Sequence, residues 1–137
     1  MDTNNNNLAL DIKDLVVHYK TDDGLVEAVN GVNLQLPKGR TIGLVGETGA
    51  GKTTTALSIL RLIQSPPGEI VSGSILCDNE DLLKNTEGQM EVIRGNKISL
   101  IFQDPMTSLN PVLTVADQIA EVIQIHQSAN KAESMKK

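Results

Sequence analysis

One stretch of eight residues constrains this chain more than any other: Gly46-Glu47-Thr48-Gly49-Ala50-Gly51-Lys52-Thr53 meets every fixed position of the pattern G-x-x-x-x-G-K-[ST]. Glycines let a backbone turn with positive φ and approach a ligand without β-carbon clashes. Successive amides then point inward as an anion nest, and a following helix adds the positive end of its dipole. Lys52 supplies a mobile charge for the β- and γ-phosphates of a nucleotide. The Thr53 hydroxyl suits Mg²⁺, which prefers oxygen ligands, and Thr54 is placed to donate to an α-phosphate. Such a loop works only between a strand and a helix, and the flanks comply. Thr41 to Gly46 reads as a short buried strand of the kind found inside a parallel sheet. Lys52 to Ile63 reads as a helix with Ala56, Ile59, Leu60 and Ile63 on one stripe, ended by Ser65-Pro66-Pro67-Gly68. A glycine-rich turn that merely matches the pattern would not need this context.

The rest of the chain bounds the alternatives. Its 137 residues and 14.7 kDa fit one domain, and 39% hydrophobic with 21% charged residues is a globular composition. One Tyr and one Phe cannot build the aromatic platform on which single-stranded nucleic acid stacks. The net charge of −5 opposes general phosphate-backbone binding, so no nucleic-acid partner is expected, and any anion must be held by a local device. The single cysteine, Cys77, excludes an intrachain disulfide and suits a reducing compartment. No secretory h-region opens the chain, and no apolar run approaches the ~20 residues of a membrane helix.

Residues 1–7 read as a disordered polar tail. Leu8 to Tyr19 reads as a strand, Asp22-Asp23-Gly24 as a turn, and Leu25 to Leu36 as further strand broken near Asn30-Gly31. With the turn at Pro37-Lys38-Gly39, this is an antiparallel start. Ile70 to Cys77 follows as a strand with Gly73 as its weak point, then a short helix over Thr86 to Arg94. Lys97 to Phe102 reads as a buried strand with Phe102 in the core, and Asp104 to Pro111 as a loop. Thr114 caps an amphipathic helix with Val115, Ile119, Val122 and Ile123 on one face, and residues 128–137 read as a fraying polar end.

A phosphate-binding loop alone leaves kinases, GTPases and transport ATPases open. The strand Ile98 to Phe102 ends at Gln103, while Asp104 comes one residue late for a Walker B aspartate and precedes Pro105. Gln103 resembles the Q-loop glutamine of ATP-binding cassette (ABC) ATPases. Tyr19, in Val17-His18-Tyr19, stands where that family stacks an aromatic ring on adenine. Asp104-Pro105-Met106-Thr107-Ser108-Leu109-Asn110-Pro111 looks like the segment after that glutamine in oligopeptide, dipeptide and nickel importers of bacteria and archaea. Thr48 and Ala50 stand where serines are commoner there; neither change removes a backbone donor. The likeness runs from about Leu10 to His126.

The resemblance implies an α/β fold: part of a P-loop NTPase core with an N-terminal antiparallel β-subdomain and the start of a helical subdomain. Residues 8–127 would be the N-terminal part of a nucleotide-binding domain, between tails at 1–7 and 128–137. It implies ATP and Mg²⁺ as cofactors, with Gln103 reaching both the metal and the attacking water and Thr53 as the second metal contact. Implied partners are membrane permease subunits, docking around Asp104–Gln127, and a second ATPase subunit packed head to tail. The implied place is the cytoplasmic face of the cell membrane. The same family needs an L-S-G-G-Q-type signature, a Walker B strand ending in Asp-Glu and a switch histidine. No Ser-Gly-Gly occurs, and Ser74 to Glu80 precedes Gln103 and lacks adjacent Asp-Glu. Neither His18 nor His126 is given a catalytic role. Lys52, Thr53 and Gln103 cover phosphate and metal only, so the chain reads as an ATP-binding N-terminal portion of an importer ATPase. The whole protein would hydrolyse ATP, and this portion would bind Mg-ATP without turnover. The alternative is a standalone non-catalytic nucleotide-binding module docking on a permease. A small kinase or GTPase is disfavoured by the lack of an N-K-x-D pattern and of a lid-like arginine cluster.

Overall fold

A computed structural model describes residues 7–104, 109–127 and 129–136. Of the expected features, the tail residues 1–6, the loop residues 105–108, Ser128 and Lys137 lie outside the described residues. The chain forms two compact units, Met1–Met90 and Glu91–Lys137.

The first unit is built on a four-stranded antiparallel sheet in the order β2-β1-β3-β4, with β1 Leu8–Thr21, β2 Gly24–Pro37, β3 Gly68–Cys77 and β4 Glu80–Asp81. Tight turns make the β1–β2 and β3–β4 pairings local, while β1–β3 joins strands distant in the chain. Its core is aliphatic, as the scarcity of aromatics demands: Ile12, Leu15, Val17, Ile75, Leu82 and Met90 are fully buried. Asn7 already joins the sheet, its carbonyl accepting the Lys38 amide at 2.9 Å.

Two irregularities bend the long strands. Asp14 takes φ 48°, donates its amide to Asn33 Oδ1 at 3.0 Å, and accepts from Asn33 Nδ2 through Oδ1 at 3.0 Å. The register of β1 shifts at this point against both β2 and β3. Gly73 lies opposite with φ 104°, where a β-carbon would stand 2.7 Å from the Asp14 carbonyl oxygen and from Leu15 Cα. The glycine that looked like a weakness in β3 is what lets the strand pass the bulge. Asn30-Gly31 acts similarly: Gly31 takes φ 69°, and β2 continues through it rather than breaking.

Helix α1 covers Lys52–Ile59 and stops four residues before the expected end at Ile63. Arg61, at φ 52°, is the left-handed residue of a Schellman cap. Its amide donates to the Ser58 carbonyl at 3.0 Å and the Leu62 amide to the Leu57 carbonyl at 2.9 Å. The Arg61 guanidinium donates in turn to the carbonyls of Asn85 and Leu82, tying the helix end to a short 3-10 turn at Leu82–Lys84. A side chain that could not have marked a helix stop by itself therefore fixes one. Arg61→Gly removes these bonds but accepts the left-handed conformation, whereas Arg61→Ala loses the bonds and keeps the steric cost. Denaturant unfolding should find the alanine variant less stable than the glycine variant by about 1 kcal/mol; the reverse order would disprove the cap.

Helix α2, Glu87–Ile93, begins at a reciprocal cap in which the Thr86 amide donates to Gln89 Oε1 at 2.8 Å and the Gln89 amide to Thr86 Oγ1 at 3.4 Å.

The two buried parallel strands do not form. Residues 41–46 pair with nothing as a strand, and Val45 is 98% exposed. After a single bridge between Arg94 and Ile98, residues 99–102 are irregular too; Ile101 is 95% exposed, and Phe102, expected in the core, is 53% exposed. A central parallel strand needs hydrogen-bonded neighbours and covered faces, and neither unit supplies them among the described residues.

In the second unit, α3 spans Val115–Gln127 and is capped as expected: Thr114 Oγ1 accepts the Asp117 amide at 3.1 Å and donates to Asp117 Oδ2 at 2.6 Å. Gln118 holds the preceding loop, accepting the Asn110 amide at 2.8 Å and donating to its carbonyl at 3.1 Å. Ala120 is buried, while Val115, Ile119 and Val122 are exposed and Ile123 is half-buried, so the expected apolar face exists but is uncovered. Within the end expected to fray, α4, Lys131–Ser134, forms one helical turn on an Asn130–Glu133 capping box.

Candidate phosphate-binding site

The glycine-rich loop leads into α1 as its chemistry requires. Gly49 takes φ 85° and Gly51 φ 78°, both in the region glycine tolerates best. The Ala50 amide donates to the Glu47 carbonyl at 3.1 Å, which closes a turn inside the loop. Gly46, Glu47, Thr48, Gly49 and Ala50 are all exposed. Gly51 is the N-cap of α1, and no side chain caps that terminus. The first bond across the helix start is from the Thr55 amide to the Gly51 carbonyl, 2.8 Å. The amides of Lys52, Thr53 and Thr54 precede it and remain available, with no acidic residue in the first turn to compete. This is the arrangement that holds an anion at a helix N-terminus.

Side chains complete the picture. Lys52 Nζ donates to the carbonyls of Gly46 and Glu47, both at 2.7 Å, so the ammonium lies across its own loop. Thr53 is exposed and Thr54 half-buried. The helix buries two hydroxyls instead of the expected apolar stripe alone: Thr55 Oγ1 donates to the Gly51 carbonyl at 2.9 Å and Ser58 Oγ to the Thr54 carbonyl at 2.7 Å.

The antiparallel sheet locates this loop. A β-carbon on Gly51 would run into the Ala28 carbonyl oxygen and come within 3.4 Å of Val29 Cγ2, so the glycine is seated directly on β2. Tyr19 lies near the end of β1, half-buried, paired with Val26 of β2 and Gly68 of β3. Its ring covers Gly68, where a β-carbon would sit 2.9 Å from Tyr19 Cε1. Ala28 and Val26 are two residues apart, about 7 Å along a strand. Tyr19 and the loop are thus both anchored on one short stretch of β2.

Gln103 and Asp104 are exposed on irregular chain in the second unit. Half-buried His18 pairs in register with Glu27 and Glu69, and the His126 ring lies against Gly95, where a β-carbon would stand 2.6 Å from Nε2. Among the described residues no three His, Cys, Asp or Glu side chains are grouped to hold a metal. Magnesium bound through one hydroxyl, phosphate oxygens and water does not need such a group, and Thr53 fits that role. Sequence reasoning missed Ala28, Val29 and Arg61. Their parts are played by backbone approach and helix capping, and no local pattern announces either. Among the described residues no helix is long and apolar enough to cross a membrane.

An antiparallel sheet bearing a glycine-rich loop and an uncapped helix is the arrangement of a nucleotide-binding cassette. The family model described as ABC transporter matches residues 29–137, and the chain belongs to that family. It is 46% identical over 130 residues to the probable peptide ABC transporter ATP-binding protein y4tR of Sinorhizobium fredii, covering 95% of this chain and 39% of that protein. It is 45% identical over 128 residues to the oligopeptide transport ATP-binding protein OppD of Bacillus subtilis, covering 93% and 36%. Among solved structures, the dimeric post-hydrolysis state of the ATP-binding cassette MJ0796 bound to ADP and Pi superposes with a TM-score of 0.77 at 25% identity, covering 93% of this chain and 53% of that one. The chain spans under two fifths of the length of these two curated relatives.

Proposed function

We propose that this chain provides the phosphate-holding part of an ATP site in a subunit that powers uptake of peptides or a related small solute. The observation that carries the reading is the glycine-rich loop itself, seated on β2, with the Lys52, Thr53 and Thr54 amides open and Lys52 lying across it. In this reading Gly46 to Gly51 wrap the phosphates, Lys52 meets the β- and γ-phosphates, and Thr53 contacts Mg²⁺. Tyr19 stacks on adenine from the end of β1, beside the same part of β2, and Gln103 orients the metal and water. The peptide assignment draws on what the relatives' names say of them. The uncovered apolar face of α3 supports docking of a membrane permease around Asp104–Gln127, at the cytoplasmic face of the membrane. The dimeric cassette to which the fold is similar supports pairing with a second ATPase subunit.

Calorimetric titration with Mg-ATP tests the site. The chain should give a saturable heat that Lys52→Ala removes, with no phosphate release above background from either protein. Equal heats from both would eliminate the loop as the binding site. Robust hydrolysis that Lys52→Ala abolishes would overturn the division between binding and turnover.

A further inference from the structure

Gly68 opens β3 directly opposite Tyr19 of β1, and it is buried. Its φ lies outside the left-handed range, so conformation does not call for a glycine here; space does. A β-carbon at this position would run into Ile63 Cγ2 and stand 2.9 Å from Tyr19 Cε1 and 3.0 Å from the Gln64 carbonyl oxygen. That oxygen accepts the Gly68 amide at 2.8 Å and holds the turn closed. An isoleucine methyl and the edge of the tyrosine ring therefore share the volume that a side chain at 68 would take. Ile63 reaches this point because the cap at Arg61 turns the chain out of α1, the helix whose first turn carries the open amides. The Tyr19 ring is half-buried, held at the edge that meets Gly68 and Ile63. A ring already held in place gives a base a flat face at little cost in side-chain entropy. We infer that Gly68 and Ile63 are positioning residues for base recognition, holding the Tyr19 ring where a purine stacks on it. Helix α1 then serves both ends of a nucleotide: phosphates at its start, and the base through Ile63 beyond its end. This rests on the reading of Tyr19 as the adenine contact. A ring laid over a cross-strand glycine can also serve the sheet alone, by covering bare backbone, and the test separates the two roles.

The chain carries its own probe, because Tyr19 is its one tyrosine and it has no tryptophan. Tyrosine emission, excited beyond the adenine band, therefore reports this ring. Calorimetry compares Mg-ATP with Mg-tripolyphosphate, which has no base to stack. In the unchanged chain Mg-ATP should quench the emission and bind about 5- to 150-fold tighter than Mg-tripolyphosphate. Tyr19→Ala should bring the two affinities together. Gly68→Ala should do nearly the same and lose the quenching, with tripolyphosphate bound as in the unchanged chain. Adding Ile63→Ala to Gly68→Ala makes room for the new methyl, and should restore the quenching and part of the preference for ATP. A role confined to the sheet's stability gives the reverse, because the double variant has also lost the isoleucine's packing; failure of the rescue would assign Gly68 to the sheet alone. If Gly68→Ala does not fold and so binds no tripolyphosphate, Ile63→Ala by itself decides. It should lower the preference for ATP several-fold at constant tripolyphosphate affinity, and an unchanged preference overturns the inference. Full preference and full quenching in Gly68→Ala overturn it too, and leave the role of Tyr19 intact. A preference that Tyr19→Ala does not move overturns that role, and the inference with it.

Discussion

Gly51→Ala should abolish Mg-ATP binding while the antiparallel sheet stays folded. Two costs converge at this residue. Its φ of 78° is left-handed, which costs an alanine about 1–2 kcal/mol. Its added β-carbon would also enter the space of the Ala28 carbonyl oxygen, a backbone atom of β2 set between the paired residues Glu27 and Val29. A flexible side chain could turn aside; this oxygen cannot. The helix start must therefore move off β2 and carry the amides of Lys52, Thr53 and Thr54 with it. Each 1.4 kcal/mol lost at the site weakens binding about tenfold, so the backbone cost alone lowers affinity by about one order of magnitude, and displacement of three phosphate-facing amides removes the rest of the site. Gly43→Ala is the control, since a β-carbon there meets nothing within 4 Å. Calorimetry should register wild-type heat for Gly43→Ala and none for Gly51→Ala, with far-UV circular dichroism alike for both. Wild-type binding by Gly51→Ala would mean that β2 does not set the loop's position.

The second large effect concerns stability. Leu15 is fully buried at the centre of β1, beside Ile12 and Val17. Leu15→Ala should cost about 2–5 kcal/mol through lost transfer energy and the cavity left behind. A domain of this size has only about 5–15 kcal/mol in total, so the variant should be largely unfolded in mild denaturant. Ile101→Ala removes as much aliphatic surface from a residue 95% exposed and should shift the midpoint by less than about 0.5 kcal/mol. Equal losses at the two positions would refute the division between a packed sheet and an uncovered strand.

These contrasts show what a sequence makes legible. β3 is marked by its own β-branched residues although its partner β1 is distant in the chain. Turn residues and β-branched runs mark β1 and β2, because their hairpin pairing is local and its signals lie next to the strands they join. Thr114 announced α3 for the same reason: an N-cap acts within one turn. The loop at Gly46–Thr53 was readable because its chemistry admits few substitutes. Thr41 to Gly46 and Lys97 to Phe102 carry the pattern of buried strands, and apart from a bridge at Ile98 neither forms one. Their apolar pattern records an environment rather than a conformation, and a parallel strand depends on partners distant in the chain. Phe102 was assigned to the core on the same mistaken ground. The early stop of α1 was invisible because it depends on Arg61 finding the carbonyls of Leu82 and Asn85 across the fold. Gln103 is placed on irregular chain, and its part in catalysis stays with the family resemblance.

The position of Lys52 has a thermodynamic consequence. Two of its three N–H groups already have carbonyl acceptors in the loop. On the proposed reading, arrival of a phosphate is therefore an exchange of acceptors, neutral carbonyl oxygens for anionic ones. The heat released reflects only the margin between an ordinary ammonium–carbonyl bond and its stronger phosphate counterpart. The loop is also spared the entropy of immobilising a long cationic side chain at the moment of binding, because that side chain is already tethered. A site of this kind would show a modest enthalpy for the affinity it reaches.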